Sequence, residues 1–104
     1  EIPDFTSCPR MYYLVMYNNA FSSYKAGAFE SLSQLKYLDI SNNSLQSTSV
    51  EQIVKDLYVN YTNTPRGGVT VNLKNCLRTG ASFSDETLDL IILLQAKSWT
   101  VIIQ

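Results

Sequence analysis

The apolar positions of this chain fall on a repeated template. Met11, Leu14, Met16 and Phe21 have the same spacing as Leu35, Leu38, Ile40 and Leu45, and Asn19 and Asn43 stand at matching places between them. The copies begin at positions 11 and 35, a period of 24 residues. A period of this size marks a stack of similar units, none of which can bury its apolar face alone. A partial third copy reads Val71-x-Leu73-x-x-Cys76, with its first apolar position on Gly68 and its last on Arg78. Alternation at Leu14/Met16, Leu38/Ile40, Val71/Leu73 and Val101/Ile103 predicts short strands with one buried face. The last of these lies in Trp99-Thr100-Val101-Ile102-Ile103. The asparagines carry both donors and an acceptor, so they can satisfy backbone groups left open where the chain leaves a strand.

The segments between strands differ. Phe29, Leu32, Leu35 and Leu38 step in threes, which predicts a short 3₁₀-like or irregular turn. After the second strand, Val50, Ile53, Val54, Leu57, Tyr58 and Tyr61 form a helical stripe, and Thr48 with Glu51 has the spacing of a capping box. Asn63-Thr64-Pro65-Arg66-Gly67-Gly68 ends that helix. A second helix is predicted over 85–97, with Ser84 as N-cap, Asp85 and Glu86 in its first turn, and Phe83 and Leu88 as a hydrophobic staple. Its expected apolar face is Leu88, Ile91, Ile92 and Leu94, widened by Leu90 and Leu93. The order strand–turn, strand–helix, strand–helix, strand defines an α/β chain wound as a short right-handed solenoid.

At these residues the chain resembles leucine-rich repeat proteins, most closely over Gly27–Leu45. The resemblance implies parallel strands on one face, helices or irregular turns on the other, and Asn19, Asn43 and Cys76 as structural motif positions. A single domain over 1–104 would then comprise a remnant at 1–10, units at 11–34, 35–67 and 68–97, and a closing strand at 98–104. LDISNNSLQSTSVEQIVKDL (38–57), GGVTVNL (67–73) and LLQAKSWTVIIQ (93–104) also look like the C-terminal end of large Bacteroidota and tailed-phage proteins, with Ser98 where those have Gly. Such proteins are virion, tail or surface components that act by binding. The resemblance implies location in a virion or at a cell surface. It implies as partners other virion or surface subunits, a host-surface protein or a glycan, and homo-oligomers formed through a full-length chain. Ile2-Pro3-x-Phe5-x-x-Cys8-Pro9 resembles the tail of a preceding repeat, so these residues are expected to be the final portion of a longer stack. The N-terminal strand edge is then expected to continue into further repeats, and the C-terminal strand to be shielded by the second helix or docked on another subunit.

Composition narrows the chemistry. The chain has no histidine, eight basic and nine acidic residues, and a net charge of −1. Without histidine the usual general base and the commonest metal ligand are missing, and no ordinary serine triad can form. No basic field exists to attract nucleic acid, and the longest apolar run, Leu90–Leu94, is too short to span a bilayer. No cofactor motif is present. Asp39, Asn42, Asn43, Asp85 and Glu86 do not form a calcium loop. The sequons Asn42-Asn43-Ser44 and Asn60-Tyr61-Thr62 are expected as chance matches in a chain rich in Asn, Ser and Thr. Cys8 and Cys76 lie two rungs apart; with strands roughly 4.8 Å apart this exceeds the roughly 7 Å Cα reach of a disulfide. Both are expected as structural thiols.

The side of the sheet opposite the core is the candidate site. Residues alternating with the buried ones are Tyr13, Val15 and Tyr17; Tyr37, Asp39 and Ser41; Thr70, Asn72 and Lys74; and Thr100, Ile102 and Gln104. A solenoid uses this concave face for binding. Tyrosine gives large contact area at low entropic cost, so Tyr13, Val15, Tyr17, Tyr37, Asp39 and Asn72 are the expected contacts. Cross-strand tyrosine pairing that merely stabilises the sheet is the competing reading. The function expected is a non-catalytic interaction module, either in a virion, as an adhesion domain at a bacterial surface, or as the accessory domain of a carbohydrate-active enzyme.

Overall fold

A computed structural model describes residues 1–104. Four short strands, β1 (Tyr13–Val15), β2 (Tyr37–Asp39), β3 (Thr70–Asn72) and β4 (Thr100–Ile102), form one parallel sheet in chain order. Helix α1 (Ser47–Asn63) lies between β2 and β3, and α2 (Asp85–Gln95) lies between β3 and β4. Parallel neighbours need a crossover on one face of the sheet, and the crossovers here make a short leucine-rich solenoid. Register brings Leu14, Leu38, Val71 and Val101 into one row, all buried. Beneath them Phe29, Leu32, Leu35, Leu45, Ile53, Leu57, Leu73 and Leu94 fill a continuous core.

The segment before β1 belongs to this core. Ile2 is fully buried and bridges to Tyr24 in parallel, with its N–H donating to the Ser23 carbonyl at 2.9 Å. Phe5 stacks on Phe29 at 6.4 Å.

Three local expectations are corrected. Helix α1 begins one residue before Thr48, and its N-cap, Gln46, makes no side-chain cap bond. The capping box does not form because Glu51 is drawn across to α2, where it accepts from Ser84 Oγ at 2.6 Å and pairs with Lys55 at 3.2 Å. Helix α2 ends at Gln95 and buries Thr87, Ile91 and Leu94, leaving Ile92 and Leu93 in solvent. It packs on α1 and β4 only, so one narrow stripe suffices. In the third unit the apolar positions are Val69 and Leu77, not Gly68 and Arg78: Val69 is buried and Leu77 bridges to Leu45. The helical crossovers bring the chain back to the sheet one residue later than the irregular turn does, and Trp99 stands before β4 as Val69 stands before β3. Ser84 does cap α2, accepting from the Thr87 N–H at 3.1 Å.

The unit without a helix, residues 24–35, is held by side chains from α1 and the loop that follows it. Asp56, fully buried, accepts from Tyr24 Oη at 2.7 Å, the Gly27 N–H at 2.6 Å and Gln52 at 2.8 Å. Asn60 donates to the Phe29 and Leu32 carbonyls, both at 2.9 Å, and Arg66 donates to the Leu35 carbonyl at 2.9 Å. An irregular segment leaves backbone groups unpaired, and burying them without partners is costly. Asp56, Asn60 and Arg66 supply those partners.

Candidate interaction surface

Each strand presents one residue to the core and two to the opposite face. Because the ladder is parallel and in register, like positions become neighbours: Tyr13, Tyr37, Thr70 and Thr100 form one row, and Val15, Asp39, Asn72 and Ile102 the next. Tyr13 and Tyr37 stack at 4.8 Å with their planes 22° apart. Tyr13 meets Tyr12 edge-on at 6.1 Å. Tyr13 is 62% exposed, Tyr12 59%, Tyr17 50% and Val15 44%, an unusual concentration of large apolar area on one side of a small chain. Tyr12 is missing from the sequence-based set, because alternation alone would turn it the same way as Leu14. It lies just outside β1, where the strand periodicity has not begun.

Asp39 and Ser41, expected to be exposed, are buried. Asp39 folds back on its own turn, its Oδ1 accepting from the Ser41 N–H at 3.0 Å and from Ser41 Oγ at 2.6 Å. Its other oxygen accepts from the Tyr37 phenol at 3.2 Å. Asn72, one rung on and half-buried, makes the same turn, accepting from the Lys74 N–H at 3.0 Å. These two side chains shape the backbone, and the outward area is left to Tyr12, Tyr13, Val15 and Tyr17. Tyr37 is half-buried, and burial together with the Asp39 carboxylate raises its pKa.

Behind the strands, Asn43 is buried and its amide donates to the carbonyls of Met16, Ile40 and Ser41 at 3.1, 2.9 and 3.2 Å. Its Oδ1 accepts from the Phe21 N–H at 3.2 Å, so this one side chain ties two units together. Asn19 is exposed and reaches only the Met16 and Tyr17 carbonyls. Cys76 occupies the corresponding place in the third unit with no side-chain partner. A second asparagine row was not read from the sequence. Asn18, Asn42 and Asn75 all have left-handed backbone, φ 57°, 54° and 54°, and Asn75 donates to Asn42 Oδ1 at 3.0 Å. Asparagine tolerates that conformation better than other residues with side chains, and the signal was the recurrence of Asn four residues after each central strand residue.

Of the two sequons, Asn42 is exposed, whereas Asn60 is buried and its amide nitrogen is occupied by two carbonyls, so it cannot be glycosylated in the folded chain. Asp85 and Glu86 sit in the first turn of α2, where Glu86 pairs with Lys55 at 3.3 Å. No cluster of acidic or thiol side chains suited to a metal ion is present, and no helix is long and apolar enough to cross a membrane. Cys8 is exposed, whereas burial pushes the Cys76 thiol up to about 12. Thiolate is the reactive form, so iodoacetamide should add once to the native protein and twice after denaturation, as counted by intact mass. Two rapid additions to the native protein would show that the Cys76 pocket opens readily.

The family model described as Leucine rich repeat matches residues 5–55, which hold β1, β2 and the first part of α1. The same in-register ladder runs on through β3 and β4 beyond the matched span. With the match and the sheet together, the fold is a short leucine-rich repeat solenoid, an architecture whose usual work is protein interaction. No curated protein and no solved structure matches it.

Proposed function

We propose that the chain is a non-catalytic recognition module that grips a partner protein on its concave tyrosine face, as the C-terminal part of a tailed-phage virion protein. The observation that carries the binding surface is the exposed group Tyr12, Tyr13, Val15 and Tyr17 on a rigid parallel ladder, with Tyr37 stacked beneath Tyr13. Aromatic side chains on a pre-ordered backbone lose little entropy on binding and dominate interface energies. Asp39 and Asn72 contribute by holding the turns that follow their strands. The virion assignment is supported by the likeness of 38–57 and 93–104 to the closing repeats of phage and Bacteroidota surface proteins, and by a surface rich in Asn, Ser, Thr and Tyr.

The test replaces Tyr17 with photoreactive p-benzoylphenylalanine in the native host, with Val59, on the exposed side of α1, as the control position. A discrete adduct is expected from position 17 alone. It should vanish when Tyr13 and Tyr37 are changed to Ser, and should contain another virion protein by mass spectrometry. Absence of an adduct at 17, or equal adducts from both positions, would overturn the surface. An adduct with a cell-envelope protein in uninfected bacteria would overturn the virion assignment.

A further inference from the structure

Beside the tyrosines, where the chain enters β1 and β2, Arg10, Tyr12, Gln34 and Lys36 line an open cleft of about 620 Å³. The Tyr12 carbonyl accepts from both the Lys36 and Tyr37 N–H groups, at 2.8 and 3.0 Å, so the backbone beneath the cleft is fixed by the ladder. Neither Arg10 nor Lys36 makes a side-chain hydrogen bond or an ion pair; only Lys25 and Lys55 meet carboxylates in this molecule. The carboxylate on this face, Asp39, is buried and already engaged by Ser41 and Tyr37. Two cations without a carboxylate partner therefore line the same cleft in a chain of net charge −1.

We infer that the cleft selects an acidic polypeptide segment, its carboxylates meeting Arg10 and Lys36 while neighbouring apolar side chains lie on Tyr12 and Tyr13. The inference rests on the concave face being the binding surface. A guanidinium accepts a carboxylate in two-point geometry, and Lys adds a mobile point charge. Exposed charges of this kind contribute mainly selectivity and association rate, and the adjacent aromatic area contributes the affinity. An arrangement with cations alone would bind any polyanion weakly; the aromatic shelf adds the requirement for an apolar neighbour.

The probe is a fluorescein-labelled dodecapeptide of alternating Glu and Leu, followed by fluorescence anisotropy at low salt. Saturable binding is expected, weakened at least fivefold by the double variant Arg10→Gln/Lys36→Gln and by raising the salt to about 0.5 M. The corresponding Lys/Leu peptide should not bind, and Arg78→Gln/Lys97→Gln, at exposed positions outside the outward face of the sheet, should leave binding unchanged. All four positions are at the surface, so circular dichroism should show every variant folded. The inference is overturned if the Glu/Leu peptide fails to bind, if Arg10→Gln/Lys36→Gln binds it as well as the parent does, or if oligogalacturonate binds and the peptide does not. Failure here with the position-17 adduct intact removes only the acidic selectivity; loss of that adduct removes the binding surface itself.

Discussion

Replacing Asp56 with alanine should lower the unfolding free energy by about 3 kcal/mol and the melting temperature on the order of 10–20 °C. The carboxylate is buried inside α1 with three donors converging on it, from Tyr24, Gly27 and Gln52. Alanine leaves the Tyr24 hydroxyl and the Gly27 N–H without an acceptor, and each such group costs about 1–3 kcal/mol. Removing a charge that had to be desolvated returns part of that, which keeps the total below the sum. Because Asp56 ties residues 24–29 to α1, hydrogen exchange should accelerate first in that segment and in β1. Asp56→Asn, which keeps one accepting oxygen, should cost roughly half as much. A melting temperature within about 2 °C of the parent for Asp56→Ala would show that the network contributes nothing.

The same network sets an alkaline limit. Burial, and then the hydrogen bond and charge of Asp56, raise the Tyr24 pKa above its ordinary value of 10.0. The folded state therefore keeps a proton that the unfolded state gives up. Stability from this residue is complete below pH 10 and is lost as the pH rises above it. Tyr24→Phe should be less stable at neutral pH and should lose stability less steeply in alkali, measured by urea unfolding at pH 8 and pH 10.5.

Trp99→Ala is expected to be comparable, costing about 3–5 kcal/mol. The indole is buried between Tyr61, which it meets edge-on at 6.4 Å, and the Arg66 guanidinium, 5.6 Å from the ring centre. Its Nε1–H donates to the Arg66 carbonyl at 2.8 Å. Arg66 in turn holds the Leu35 carbonyl, so the ring at the β4 end supports a contact in the second unit. In a stack stabilised by neighbour contacts, damage here should spread inward: protection from exchange should fall in α2 and β4 first, then at 64–69. Trp99→Phe keeps most of the packing but strands the Arg66 carbonyl, and should cost about 1–2 kcal/mol. A Trp99→Ala protein whose urea midpoint matches that of the parent would refute this account.

Ser98, just before this ring, has left-handed backbone with φ 67°, and the Trp99 N–H closes the end of α2 on the Leu94 carbonyl at 3.2 Å. Glycine is the residue that adopts this conformation without strain. Ser98 thus sits where Gly would fit without strain.

Much of the architecture was legible because it depends on short-range periodicity. Leu14, Leu38, Val71 and Val101 announce the buried row through alternation alone, and Ser84 with the acidic turn after it marks the start of α2. The α1 stripe was legible through Val50, Ile53, Val54 and Leu57, all buried as read. What failed were features that depend on a neighbour from another unit. Glu51 has the spacing of a capping residue, yet a Ser84 hydroxyl outcompeted the helix end for it. Ile92 and Leu93 are as apolar as Ile91 and Leu94, but only one side of α2 has anything to pack against.

For the candidate surface the division is the same. Tyr13, Val15 and Tyr17 faced outward because strand alternation has no other solution, whereas Asp39, on the same face, was covered by its bonds to Tyr37 and Ser41. The sequence by itself determined the repeat period, the parallel order of strands, the buried row and the outward positions of Tyr13, Val15 and Tyr17, since each follows from spacing along one chain. Only the tertiary structure decided that Asp56, Asn60 and Arg66 would become partners of an irregular turn, and that Arg10 and Lys36 would line one cleft without a carboxylate partner. Those pairings join residues 26 to 32 positions apart, and no local spacing encodes which unpaired backbone group or charge a side chain will find across the stack.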